Sequence, residues 1–498
     1  MAGAEACTYT TDEALSRVGF GRFQAMLLVV LGTGWIAEAM EIMLQSFVGP
    51  SLTLGTAPAG MAGGEPCTYT TDKALSRVGF GRFQALLLVV LGTGWIAEAM
   101  EIMLQSFVGP SVKAEWRVSA EEEGLVTSVV FVGMLLGACA GGLGSDRFGR
   151  RLGFLFTTLV TGISGFLCAF SPNYASLITL RFVVGLGLGA SHVLPTWFLE
   201  FVPAETRGSW MAAFSSFFTL GTILEALLAW AVMPILGWRW LLGLSSLPCF
   251  ILLIFSGLIP ESPRYLCSRG RTSDAMLVLE RIARMNNRSL PPGILTSDLK
   301  RRVDHKIGAS SIFQFFFAYY GIVLLVSEVS NGNRSCASVG PHLTQPKDSN
   351  LYINVLVTSF AEFPGLLVAA LLVDRVGRRV SMGGLILFCC ASVVPLAINL
   401  RGGFAVTLLF CARSFSTGCF AVLRAYSPEI YPTSCRNTGV GVANSIARIG
   451  SAIAPLMTIT LLENCLEKEA VFAIVLPLFL AGVGCAFFPL ETKGRDMY

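Results

Sequence analysis

The chain has 498 residues, of which 53% are hydrophobic and only 14% charged, and its formal net charge is +4. A soluble domain carries about 25% charged residues, so this composition excludes an ordinary soluble domain. So small a net charge also leaves no electrostatic footprint for nucleic acid.

A helix that crosses a bilayer needs about 20 mainly apolar residues. Such runs occur near 24–47, 84–107, 123–143, 153–171, 176–198, 210–233 and 240–259. After a polar stretch at 260–308 they resume near 309–328, 351–373, 380–399, 403–426, 438–462 and 469–489. The first run is long and contains Glu38 and Glu41, so a cleavable signal peptide is not expected.

These are thirteen candidates, one more than two six-span halves need. The excess comes from a repeat. Residues 1–52 recur as 61–112, differing only at Ala4/Gly64, Ala6/Pro66, Glu13/Lys73, Met26/Leu86 and Leu52/Val112. Arg17 and Arg22 precede the first copy's span, and Arg77 and Arg82 precede the second's. Positive charge at the same place gives both spans the same orientation, whereas adjacent spans must alternate. The second copy is therefore expected to supply the first core helix. Residues 1–60 are expected to be a duplicated segment outside the core fold, or absent from the mature protein.

Counting from Met61, twelve spans place both core termini on one side. The expected divisions are a six-helix bundle at 61–259, a linker at 260–308, a second bundle at 309–489 and a tail at 490–498. The linker holds ten Lys/Arg against five Asp/Glu, which assigns its side to the cytoplasm. The loop 329–350 then lies outside and carries Asn333-Arg334-Ser335, a glycan-acceptor tripeptide.

Most of the 14 cysteines, such as Cys139, Cys168, Cys389, Cys390 and Cys411, sit inside apolar runs, where a thiol acts as a small hydrophobe. No Cys-x-x-Cys pair or Cys/His cluster appears, so neither metal nor cofactor is expected. No nucleophile–base set or nucleotide loop is evident, and an enzyme is not expected.

Two loops match across the halves. One contains Gly144, Asp146, Arg147, Gly149, Arg150 and Arg151; the other contains Asp374, Arg375, Gly377, Arg378 and Arg379. Internal symmetry of this kind marks repeat-built transporters. The glycines allow a tight turn, and each Asp can pair with Arg or face a helix N-terminus. The pair is expected to form a cytoplasmic gate, against the plainer alternative of a basic loop that only sets topology.

The Gly-x-x-x-Asp-Arg-x-Gly-Arg-Arg pattern resembles the signature of the major facilitator superfamily. Pro260-Glu261-Ser262-Pro263-Arg264, Pro489-Leu490-Glu491-Thr492, Arg181 with Gly185, Gly187 and Gly189, and Glu429-Ile430-Tyr431-Pro432-Thr433 are similar to its sugar-porter-like branch. Gly94-Trp95-Ile96-Ala97-Glu98-Ala99-Met100-Glu101 and Ser359-Phe360-Ala361-Glu362-Phe363-Pro364-Gly365 resemble the synaptic-vesicle-two-related group. Within that group the plant organic cation/carnitine transporter type is most alike. The resemblance runs from about Tyr69 to Asp496. It implies an all-α polytopic membrane protein with the major facilitator fold, and departs from the pattern at His192, at Arg424 and in the short stretch before the seventh span.

Charges at bilayer depth cost at least about 2.5–3.5 kcal/mol each, so they need partners or a watery cavity. Glu98 and Glu101, three apart, share one helix face. Two carboxylates that close do not readily ionise together, so one is expected to bind a proton or a cation. Glu225, Glu362, Arg448 and His192 are further substrate or proton-coupling candidates. Trp197 and Tyr320 are candidates to line the cavity, since aromatic faces hold quaternary ammonium groups. Arg181 and Arg413, which open the fourth and tenth spans, are expected in the cytoplasmic gate.

The expected function is alternating-access transport of a small organic ion, an organic cation, carnitine or nicotinate-like solute, driven by H+. A sugar is the second substrate class, and a non-transporting membrane paralogue is the alternative from another class. A monomer in the plasma membrane is expected, with the vacuolar membrane as the other location.

Overall fold

Backbone groups in hydrocarbon find no water to bond, so membrane-embedded chain coils into helices. In the computed structural model the described residues are 68–296, 356, 359–398, 403–463, 467–486, 488 and 491–493, and nearly all are helical. The chain divides into two compact units, Met1–Gly60 and Met61–Tyr498. The first unit lies outside the described residues, as do the expected span at 309–328, Tyr320 and Asn333.

A short strand β1 (Thr68–Tyr69) leads into α1 (Thr71–Val78), α2 (Arg82–Trp116), α3 (Ala120–Phe148) and α4 (Arg150–Cys168). Then come α5 (Tyr174–Gly189), a 3-10 turn at Ala190–His192, α6 (Val193–Leu199), α7 (Arg207–Leu236), α8 (Trp238–Ser245) and α9 (Leu247–Phe255). The linker forms α10 (Pro263–Ser268), α11 (Thr272–Met285) and β2 (Ile294–Leu295), which pairs in parallel with β1. The second half shows α12 (Glu362–Val376), α13 (Arg378–Val393), α14 (Gly403–Ile430), α15 (Arg436–Glu463) and α16 (Glu467–Ala486).

Among the described residues eight helical stretches are long and apolar enough to cross a membrane, and Val471–Cys485 is a shorter apolar helix. The outer surface is apolar: Ile235 is 82% and Ile254 77% exposed. Such a skin suits hydrocarbon and would be a liability in water.

Local sequence sets where helices start and stop. Ser119 accepts from the Glu122 amide at 3.2 Å while the Glu122 carboxylate accepts from the Ser119 amide at 2.7 Å, a reciprocal cap that opens α3. Gly149 and Gly377 both stand at φ +108°, a conformation L side chains rarely adopt. Each breaks the chain between two antiparallel helices. Within the first half α3 packs on α5 and α2 on α7; within the second, α14 packs on α12 and α13. The halves meet where α15 packs on α3 and α12 packs on α7. Contact there is close. A Cβ at Gly142 would lie 2.4 Å from the Asn437 carbonyl oxygen, and one at Gly441 would lie 2.4 Å from that of Ala138.

The linker is tied to the end of the bundle that carries the Asp146 and Asp374 loops. Asp72 of α1 pairs with Arg207 at 2.6 Å and accepts a second charged bond from Arg264 at 2.9 Å. Burial pushes the Asp72 carboxyl up, but the Arg264 and Arg207 guanidiniums more than offset it and hold its pKa well below the usual carboxylate range.

Candidate functional site

The repeated loops build the same charged cluster twice. In the first half Arg150 pairs with Asp146 at 3.2 Å and with Glu200 at 3.1 Å. Glu261 accepts from the Arg150 and Arg151 amides at 3.0 and 3.2 Å, which places a carboxylate on the N-terminus of α4. In the second half Arg378 pairs with Asp374 and with Glu429, each at 3.1 Å. Glu491 accepts from the Arg378 and Arg379 amides at 2.8 and 3.1 Å. Arg150 and Arg378 are fully buried, and a buried cation needs such partners.

Each Asp then reaches across to the other half. Asp146 accepts from the Thr438 amide at 2.7 Å, the Thr438 hydroxyl at 2.8 Å and the Asn437 amide at 3.3 Å, all in the first turn of α15. Asp374 accepts from the Ser209 amide at 2.7 Å and its hydroxyl at 2.5 Å, in the first turn of α7. Arg436 adds an ion pair from the second half to Glu200 at 2.8 Å. The halves are thus pinned at one end by carboxylates on helix N-termini, where unsatisfied amides favour an anion.

Not every expected gate residue joins this cluster. Arg147 and Arg375 are exposed. They contribute through their carbonyls, which accept from Tyr265 and Arg269 and from Lys493. Gly144 lies inside α3, where a side chain would meet nothing within 4 Å, so the turn belongs to Gly149. Arg181 and Arg413 correct the expectation more firmly. Consecutive spans run antiparallel, so α5 and α14 begin at the end remote from the two loops. Neither arginine is in the gate. Arg181 pairs with Glu101 at 3.3 Å and Arg413 with Glu362 at 2.9 Å, all four buried.

A small cavity of about 60 Å³ lies between the halves. Glu98, His192, Arg424 and Arg448 line it, together with Trp95 and Phe420. Arg448 and Arg424 supply the positive charge facing Glu98. Glu101 looks elsewhere, to Arg181, so the two carboxylates do not form the mutually coupled pair expected from their spacing. Both His192 ring nitrogens stand 3.1 Å from carbonyl oxygens, of Gly189 and of Asn437, so the ring ties α5 to α15.

Three further candidates fall outside the cavity lining. Glu225, on α7, is buried and accepts the Ser245 hydroxyl of α8, 2.8 Å from its nearer oxygen. Glu362 accepts from Thr219 of α7 at 2.9 Å and so bridges the halves. Trp197 is fully buried against Phe154, with centroids 5.8 Å apart, in the core of the first bundle. Sequence reasoning missed Trp95 and Phe420 as lining residues and Glu200, Glu261, Glu429 and Glu491 as partners of the loop arginines. Trp95 precedes Glu98 by three, which puts it on the same helix face. The four glutamates stand at matching places in the two halves, and that symmetry was the available signal.

Two like-built bundles, pinned at one end and enclosing a charged cavity, define a membrane transporter of the major facilitator superfamily. Residues 86–498 match the family described as "Sugar (and other) transporter", and the chain belongs to it. It is 44% identical over 479 residues to organic cation/carnitine transporter 7 of Arabidopsis thaliana, covering 86% of this chain and 96% of that protein. It is 35% identical over 470 residues to the synaptic vesicle 2-related protein of Xenopus laevis, covering 89% and 84%. Among solved structures it is similar to the proton:xylose symporter XylE bound to 6-bromo-6-deoxy-D-glucose, with TM-score 0.66, 18% identity and coverage of 85% and 98%.

Proposed function

We propose that this transporter moves a small organic ion by alternating access, coupled to proton movement through Glu101. Residues 61–259 and 309–489 are the two rocking bundles, and the loops at Asp146 and Asp374 face the cytoplasm. The charged cavity lining supports an ionic substrate, as does the name of the Arabidopsis relative. The caps across the halves support alternating access, because a few polar contacts at one end can be exchanged for others at little net cost.

The observation that carries the coupling is Glu101. It is 1% exposed, its second oxygen lies 3.3 Å from Arg181, and its first has no hydrogen-bond partner among the described residues. Glu225 adds a second buried carboxylate facing Glu101 and Arg181. One arginine cannot neutralise two carboxylates away from water, so one proton completes the balance. Binding and release of that proton would bias which face is open.

Uptake into vesicles under an imposed pH gradient tests this, with nicotinate, trigonelline, carnitine and hexoses as competitors. Glu101→Gln is expected to abolish gradient-driven accumulation while leaving exchange of substrate for substrate. If both Glu101→Gln and Glu98→Gln leave accumulation unchanged, the coupling is wrong. Labelling that placed Asp146 and Asp374 on opposite faces would overturn the architecture.

A further inference from the structure

Where the first span begins, the protein gathers arginines that no carboxylate answers. Residues 77–89 and 281–296 contain Arg77, Arg82, Arg281, Arg284 and Arg288 and no acidic residue. All five arginines are exposed. Among the described residues none of them forms an ion pair. Glu280 is exposed and one helical turn before Arg284, yet it does not pair with it.

One contact brings the two stretches together. Asn286, at the end of α11, accepts from the Phe83 amide at 3.0 Å and donates to the Gln84 side chain at 2.8 Å. Its side chain fills the space that a Cβ at Gly81 would need, so the end of α11 abuts the start of α2. Arg77 and Arg82 flank this contact on one side, and Arg284 and Arg288 on the other. Gly79 and Asn287 turn the chain beside it, at φ +67° and +52°. Guanidiniums held this near one another repel unless they share an anion.

The place decides which anion. Arg82, Leu86 and Val89 lie on one face of α2, and Leu86 is 40% and Val89 55% exposed. That face meets hydrocarbon, so Arg82 stands at headgroup depth at the end of a lipid-facing stripe. Phe80, two residues before Arg82, stacks on Trp210 with centroids 3.3 Å apart, and tryptophan is enriched at that depth. A phosphodiester presents charged oxygens to guanidiniums, while its acyl chains cover Leu86 and Val89. A soluble anion would answer the charge and leave the apolar stripe uncovered.

We propose that the turn between α1 and α2 and the end of α11 form a binding site for the headgroup of one anionic phospholipid. The bound lipid ties the linker to the first span. This goes beyond the transport reading and depends on neither its substrate nor its proton coupling.

The test is native mass spectrometry of the full-length protein in detergent, titrated with phosphatidylglycerol or with phosphatidylcholine of the same acyl chains. Wild-type protein is expected to bind its first phosphatidylglycerol about tenfold or more tightly than phosphatidylcholine. Arg82→Gln with Arg284→Gln is expected to weaken phosphatidylglycerol binding about tenfold and leave phosphatidylcholine binding unchanged. Arg147→Gln with Arg151→Gln removes the same charge from exposed positions at the same end of the bundle, and is expected to leave both lipids bound as in wild type. Equal binding of the two lipids by wild-type protein overturns the proposal, and this arm decides even where a variant does not fold. An equal loss in both double variants also overturns it, since general positive charge would then suffice. Displacement of the lipid by glycerol 3-phosphate refutes it too, because the site would then serve a soluble phosphate.

Discussion

Asp146→Ala should open the pinned end of the bundle. In the closed arrangement Asp146 accepts three bonds from the first turn of α15, at 2.7, 2.8 and 3.3 Å. Losing a helix cap costs about 0.5–2 kcal/mol, and hydrogen bonds to a charged acceptor are worth about 1.5–3 kcal/mol each but are not additive. The substitution leaves Arg150 with Glu200 at 3.1 Å, so it does not strand a buried cation. The closed arrangement should lose about 2–4 kcal/mol, which at about 1.4 kcal/mol per tenfold is on the order of 30- to 1000-fold in population. Cys139 is a native reporter. Its sulfur sits 3.1 Å from the Ser445 hydroxyl, between α3 and α15. Its alkylation by a maleimide, followed by peptide mass spectrometry, should quicken in proportion to the opened population. A folded Asp146→Ala protein whose Cys139 reacts at the wild-type rate would refute the role given to the cap.

The two glycines of the first loop should behave in opposite ways. At Gly149, φ is +108° and a Cβ would lie 2.4 Å from the Glu261 carboxylate, so Gly149→Ala should cost about 1–3 kcal/mol. Gly144→Ala should stay within about 0.5 kcal/mol of wild type; thermal melting in detergent ranks them, and the reverse order would refute the assignment of the turn. Asp72→Asn should destabilise by about 3–5 kcal/mol, the cost of breaking a buried ion pair. Because Arg264 and Arg207 hold the folded-state Asp72 pKa below its unfolded value, this stabilisation is complete above about pH 4 and fades as pH falls towards the depressed pKa. The melting difference between wild type and variant should therefore shrink on acidification. A difference that stayed constant down to about pH 2 would show that the carboxylate charge is not what Asp72 contributes.

Much of this molecule was legible before any coordinates. Long apolar runs can only be helices in lipid, so the class followed from composition and period. The paired loops announced two like halves, because a motif that recurs at equivalent places needs a repeated frame. The duplication of residues 1–52 accounts for one candidate span beyond twelve.

Which charges meet was decided by tertiary structure alone. A spacing of three put Glu98 and Glu101 on one face of α2, yet one turns to the cavity and the other to Arg181. Position at the start of a span suggested a gate for Arg181 and Arg413; counting alternating spans already places those starts away from the loops, and the structure adds their pairing with Glu101 and Glu362. Sequence sets the period of each helix, and so which residues share a face. It does not set the rotation of a helix about its axis, which comes from packing against neighbours distant in the chain. Through that rotation Arg424 reaches Trp95 and Phe218.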